Sequence, residues 1–319
     1  MTTSKLISAI IPTVGRPDAL RICLQSLAKQ SVPIAEVIVV HCGDDTATKD
    51  IANESDWIEA GMQVRYFHHQ ERNCARQRNF AASEATYPYL LLIDDDIEIA
   101  SDWVEELLKP FESDHEVAAT MGRVMNQPMP PTFLWRMYRT LLHGREEGLK
   151  PGRMVGAALP NGFPADAREW IRCEWIGGGI SAICRSAFIS VGGFASFFSG
   201  SSPGEDLDLG YRLSRKWKVY YVPTASCTHH QSSTGREDVD EHQYLSMRSR
   251  FGILTATMQK PRIVALGHIG LWAFVQCLSE LASLRRGVVR SDLPLAWLGR
   301  TRGCFSCVRW VPQHVNHSS

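Results

Sequence analysis

The sequence has no charge bias. Its 319 residues carry 34 Lys plus Arg and 34 Asp plus Glu. No global field of one sign marks it as a binder of nucleic acid or of an acidic polymer. It also lacks internal repeats and low-complexity stretches, which excludes solenoids and linker-like chains. Nine cysteines fall without an even framework, several of them (Cys23, Cys184, Cys277) inside apolar stretches. That favours reduced thiols in a cytoplasmic compartment over a disulfide scaffold. The N-terminus runs straight into an apolar strand pattern and leaves no room for a signal peptide. With 44% apolar and 21% charged residues, the chain has the balance of a folded soluble protein. One local bias exists: from Arg285 to Arg309 six arginines face a single acid, Asp292.

The first hundred residues alternate short apolar runs with helical patterns. Leu6–Ile11, Val37–Val40, Val64–Phe67 and Tyr89–Ile93 read as buried strands. Between them, Leu20, Cys23, Leu24 and Leu27 share one face of a helix over 18–29, and Asn73–Ala85 reads as a second helix. This alternation predicts an α/β fold with a mostly parallel sheet. Ligands of such sheets bind beyond the carboxyl ends of the strands. Two polar clusters, 41–45 and Asp94-Asp95-Asp96, fall there. Further on, Trp103–Phe111 reads as a helix, Val117–Val124 as a strand, and 126–170 as a Pro- and Gly-rich insertion with a short aromatic helix at Phe133–Leu142. Ile176–Cys184 and Val219–Val222 read as strands around a helix at Leu207–Lys216.

Three consecutive aspartates closing a buried strand repel one another unless a cation sits among them. Hard oxygen ligands suit Mg²⁺ or Mn²⁺, and a metal bridging a pyrophosphate would be the natural partner. A solvated turn with Asp102 capping the next helix is the bland reading.

Several segments decide between these. The strand ending in Asp94-Asp95-Asp96 resembles the DxD signature of family 2 glycosyltransferases of GT-A fold, including rhamnosyltransferase-like members. Pro12, Thr13 and Arg16 resemble the family's nucleotide-binding end of the first strand, and Arg78-Asn79 its R-N helix. Gly192-Gly193-Phe194 with Glu205-Asp206-Leu207-Asp208-Leu209 is similar to its G-G-F and E-D block, and Val222-Pro223 followed by His229 to its V-P…H ending. The resemblance covers about residues 6–230. It implies a GT-A catalytic domain over 1–235, with a nucleotide-binding half (1–125) and an acceptor half (126–235), and a C-terminal helical extension over 236–319.

The resemblance also implies roles. Asp206 would be the general base of an inverting transfer from a nucleotide-diphosphate sugar to a carbohydrate or lipid-linked acceptor. Asp96 and His229 would hold the metal, with Asp94, Asp95 and Arg78 on the donor. Glu205, Gly178 and Gly179 would lie on the acceptor side. Each residue has a plain alternative: Glu205 and Asp206 could cap their helix, His230 competes with His229, Arg212 could pair with an acid, and the glycines could mark a bulge. Where family members often carry an aspartate at the end of the second strand, this sequence has His41, followed by Asp44 and Asp45 as substitutes for donor recognition. It also lacks the glycine often found ahead of the R-N pair. A related nucleotidyltransferase and a catalytically silent nucleotide-sugar binder are the competing functions.

Two features lie beyond the resemblance. Ile263–Leu284 is long enough to span a bilayer, but His268, Trp272, Gln276, Ser279, Glu280 and Ser283 form a polar stripe. An interfacial helix on the inner face of the cytoplasmic membrane, with the following arginines reaching anionic headgroups, packing on the domain or on a homodimer partner, and a true span are all open for 263–290. Cys304 and Cys307, with His314 and His317, form a weak zinc pattern.

Overall fold

A computed structural model describes residues 7–126, 133–232, 234, 236–285 and 291–312. Nine strands make one sheet: β1 (Ile7–Thr13), β2 (Glu36–His41), β3 (Gln63–His68), β4 (Tyr89–Ile93), β5 (Ile97–Ile99), β6 (Val117–Val124), β7 (Ile171–Arg172), β8 (Ile180–Cys184) and β9 (Lys218–His229). Their order is β3-β2-β1-β4-β8-β6-β9-β5, with β7 beside β9. The first four strands are parallel, as the alternation predicts. In the second half β8 runs antiparallel to both β4 and β6, and β5 and β7 run antiparallel to β9. The sheet as a whole is therefore mixed, because β8 returns against the parallel strands on either side of it.

β1 extends past Pro12 to Thr13, two residues beyond the expected end. Its pairing with β4 stops at Ile10, while that with β2 continues to Thr13. The missing N–H of Pro12 thus leaves no ladder bond broken on the β4 side. Helix α1 (Pro17–Ala28) starts on a proline at its first position and buries Leu20, Cys23, Leu24 and Leu27. Helix α2 (Cys74–Glu84) is capped by Asn73, whose side-chain oxygen accepts the Arg76 N–H at 3.0 Å. Its alanines 75, 81 and 82 let it lie close on the sheet.

Further helices are α3 (Trp103–Ser113), α4 (Phe133–His143), α5 (Glu205–Ser214), α6 (Val239–Gly252), α7 (Arg262–Arg285) and α8 (Leu293–Arg309). The residues beyond 235 share a core with the rest: Met247, Phe251, Ala265 and Ile269 pack in one buried cluster with Ile10, Leu92, Leu209 and Leu213. All nine cysteines are free. Cys304 and Cys307 pack against Met247, and His314 and His317 lie outside the described residues.

Candidate active site

A cavity of about 450 Å³ opens at the carboxyl ends of β1 and β4. Pro12, Thr13, Arg16, Gln77, Arg78, Asp94, Asp95, Asp96, Glu205 and His229 line it, and the start of α6 closes one side with Val239, His242 and Gln243. The aspartates do not form a solvated turn. Asp95 and Asp96 are buried, and Asp102 makes no capping bond at the start of α3.

Each aspartate has a separate set of partners. Asp95 turns back beneath β1, accepting from the Thr13 hydroxyl at 2.6 Å and from Arg16 Nη1 at 3.1 Å. Burial still pushes its carboxyl up to about 7, against the pull of Arg16 and Thr13. Asp96 meets His229 Nε2 at 3.1 Å and the Ser232 N–H at 3.0 Å. Burial would raise Asp96, but these donors and Arg16 hold it below the ordinary carboxylate value. Asp94, the most open of the three, accepts from Arg78 Nη2 at 2.5 Å.

Arg78 is buried and forked. Its second terminal nitrogen binds Glu205, and its guanidinium lies 5.6 Å from the centre of the Phe194 ring. One side chain on α2 therefore joins the end of β4 to the start of α5, and burial is offset by the surrounding acids so that its own pKa rises. Glu205 is pushed up to about 8, by burial first, with Arg78 opposing. Beside it, Asp206 accepts the Gly178 N–H at 2.9 Å and the Leu207 N–H at 2.8 Å. Burial raises its pKa above the ordinary value. Gly204 precedes them at φ 92°, a left-handed conformation that suits glycine.

Gly178 and Gly179 serve close approach. A methyl group on Gly178 would come 3.0 Å from Arg78 and 3.2 Å from Asp206, and one on Gly179 would collide with the Asp94 carboxylate. His229 and His230 diverge: the first points to Asp96, the second to Glu98 at 2.8 Å. Arg212 pairs with Asp208 at 2.7 Å.

Asp44 and Asp45 are not among the residues that line the cavity. Asp45 accepts from the Thr48 N–H and hydroxyl and lies 2.9 Å from Nε2 of the buried His41, whose Nδ1 is 2.9 Å from the Tyr66 hydroxyl. Its bonds serve the loop. Conversely, sequence reasoning missed Arg72, Ser201, Arg236, Glu237, His242 and Gln243 in the cavity wall. Glu237 accepts the Ser201 N–H and hydroxyl, both at 2.6 Å, and so ties the loop before α5 to the segment before α6. For Arg236, Glu237, His242 and Gln243 the one hint was their position shortly after His229, and Arg72 and Ser201 gave none.

The chemistry of Asp96 and His229 fits a divalent cation. An octahedral Mg²⁺ or Mn²⁺ with bonds of about 2.1 Å spaces adjacent ligand atoms by about 3.0 Å, close to the 3.1 Å observed. No group of three or more His, Cys, Asp or Glu suited to a metal occurs among the described residues. Such an ion would complete its shell with phosphate oxygens and water, as Mg²⁺ commonly does.

A family model described as Glycosyl transferase family 2 matches residues 8–176, just over half the chain. The chain belongs to glycosyl transferase family 2. The O-antigen biosynthesis protein RfbC of Myxococcus xanthus is 28% identical over 73% of this chain, and the chondroitin synthase of Escherichia coli 24% over 73%. The chain spans only 18% and 35% of those two relatives. A shorter stretch of 65 residues, 20% of each chain, is 43% identical to an N-acetylglucosaminyl-diphospho-decaprenol L-rhamnosyltransferase of Mycobacterium tuberculosis. Among solved structures, GalNAc-T7 with UDP, GalNAc and Mn²⁺ superposes with a TM-score of 0.59 at 17% identity, covering 79% of this chain and 48% of that one. The mannosyltransferase PcManGT of Pyrobaculum calidifontis, with GDP-Man and Mn²⁺, gives 0.56 at 14% identity, covering 95% and 85%. These likenesses establish the GT-A fold of the enzyme.

Proposed function

We propose that this glycosyltransferase moves a sugar from a nucleotide-diphosphate donor to an acceptor hydroxyl with inversion, Asp206 taking the proton. One observation carries the reading. Arg78 bridges Asp94 and Glu205, so the end of β4 and the Asp206 turn form two walls of one crevice.

The donor diphosphate fits against Thr13, Arg16 and the aspartates, with Asp96 and His229 as the metal pair. Mg²⁺ or Mn²⁺ held there would offset the charge that develops on the departing diphosphate. Asp206 has both oxygens oriented by backbone N–H groups, and burial raises its proton affinity, as a general base needs. Removing the acceptor proton while the hydroxyl attacks opposite the diphosphate inverts the anomeric centre in one displacement. Gly178 and Gly179 keep the backbone close enough for Asp206 and Asp94 to hold these positions. Residues 1–125 then form the nucleotide half, 126–235 the acceptor half, and 236–319 an extension that closes the cavity.

The UDP, GalNAc and Mn²⁺ bound to GalNAc-T7, and the GDP-Man and Mn²⁺ bound to PcManGT, support a nucleotide-diphosphate sugar donor with Mn²⁺. The named relatives support a role in polysaccharide or glycolipid synthesis at the cytoplasmic face of the membrane, with a carbohydrate or lipid-linked acceptor. Thermal stabilisation by a panel of nucleotide sugars, with Mn²⁺ or with chelator, tests the donor reading. One donor should raise the Tm only when metal is present. Stabilisation indifferent to chelation would overturn the metal assignment, and His229→Ala should abolish the metal effect where His230→Ala does not.

A further inference from the structure

The helix α7 is turned outward on its apolar side. Its polar stripe faces the protein: Trp272 is buried with the Arg250 guanidinium 4.5 Å from its ring centre, and Glu280 accepts from Arg300 at 3.0 Å and Trp297 at 2.7 Å. The opposite face carries Ile263 (77% exposed), Phe274, Leu278 and Leu281, all open to solvent. Between them Gly267 and Gly270 have nothing within 4 Å of where a side chain would start. The helix of 24 residues is about 36 Å long. Soluble helices ordinarily show the reverse arrangement.

The neighbours of α7 repeat the pattern. Helix α4 meets it where the Trp135 and Trp272 rings lie 6.4 Å apart, and exposes Phe133, Met137 and Leu141 one helical turn apart. Helix α8 runs antiparallel to α7, since Arg262 bonds the carbonyls of Cys307 and Trp310 while Glu280 bonds Arg300. It exposes Leu295, Leu298, Phe305 and Val308, again at helical spacing. Apolar side chains exposed along three adjoining helices mark an interaction site. Its charge selects the occupant. Of the seven arginines on α4, α7 and α8, Arg300 is buried against Glu280, the one carboxylate of these helices, and Arg302 pairs with Asp240, while Arg136, Arg262, Arg285 and Arg309 are exposed. A second copy of the chain would bring a like-charged face, whereas an anionic bilayer complements it.

We propose that α4, α7 and α8 seat the enzyme on an anionic phospholipid surface, apolar stripes among the acyl chains and arginines at the headgroups. The inference rests on the reading of an acceptor at the membrane, but is tested apart from it. The polar contacts of α7 with the domain put the helix on the surface and not across the bilayer.

Flotation of the full chain with vesicles is the test. It should bind an equal mixture of phosphatidylcholine and phosphatidylglycerol, bind phosphatidylcholine alone at least tenfold more weakly, and dissociate as salt rises. The double variant F274D/L281D should lose at least tenfold in vesicle affinity yet keep its metal-dependent stabilisation by donor. Recovery of the wild type in the unbound fraction with both vesicles would overturn the proposal, as would undiminished binding by the variant. A dimer that F274D/L281D converts to monomer, with no vesicle binding, would assign the face to a second copy instead. Vesicle binding without any donor stabilisation would leave this surface standing and remove the proposed donor chemistry.

Discussion

Glu36, at the amino end of β2, is buried, and so are Asp95, Asp96 and Glu205 at the opposite end of the same sheet. Glu36 is fully answered: the Ser8 hydroxyl at 2.6 Å, Arg65 at 2.9 Å, and the Thr86 N–H and hydroxyl at 3.0 and 3.1 Å all donate to it. Burial would raise its pKa, but these donors hold it below the ordinary value. At the other end Asp94, Asp95, Asp96, Glu205 and Asp206 surround Arg16 and Arg78, and burial leaves Asp95 near 7 and Glu205 near 8. One end neutralises its charge by design of the fold, while the other holds acids in excess of its cations. Excess acid is what a site awaiting a cation and a proton transfer needs, and it costs stability until they arrive.

The sharpest break of this contrast is Asp206→Asn. The variant keeps the shape and the Gly178 contact but cannot take a proton. Turnover should fall roughly 10²–10⁴-fold, with metal-dependent donor stabilisation retained. Turnover within a few-fold of wild type would return Asp206 to the status of Glu36, an acid that only holds structure.

Arg78→Met attacks the same end through its counter-charge. Glu205 and Asp94 would lose their shared partner, and leaving buried charge unpaired costs about 3–5 kcal/mol. Urea denaturation would measure it. Arg78→Lys restores the charge without the fork, so it should recover part of the stability and less of the activity. Full recovery of both would reduce Arg78 to a simple counter-ion.

Much of the first contrast was legible in the chain. Continuous apolar runs announced β1, β2 and β4, and the aspartates stand where a buried run is cut off. The bridge through Arg78 was not, since Glu205 lies 127 residues away and no local period encodes it. The antiparallel return of β8 was hidden too, because an apolar strand reads alike in either direction. The wall built from Glu237, His242 and Gln243 depends on how α6 packs, and its polar residues resemble any solvated helix start. Asp45 shows the converse: an acid at a strand end also holds its own loop, through its bonds to Thr48.

At the amino end, Glu36→Gln should cost about 1–3 kcal/mol, because one oxygen that accepted bonds becomes a donor facing donors. Donor affinity should not change, since none of the partners of Glu36 lines the cavity. A change in donor affinity at constant stability would mean that the two ends are coupled through β2, and the comparison would have to be redrawn.

The two ends should also respond to pH with opposite sign in the metal-free enzyme. Glu205 has a folded value near 8, above its unfolded value of about 4.3. Its stabilising contribution is therefore complete below the unfolded value and lost as pH rises through about 8. Glu36 has a lowered folded value, so its contribution is complete above the unfolded value and lost as pH falls through the folded one. The Tm should thus decline by roughly a few degrees between about pH 5 and 8. Glu205→Gln should flatten that decline, and Glu36→Gln should leave it in place while blunting the loss in acid. If Glu205→Gln leaves the alkaline slope untouched, Arg78 keeps Glu205 ionised throughout. The excess acid at the carboxyl end would then reside in Asp95 and Asp206, the two carboxylates that remain there with burial outweighing their partners.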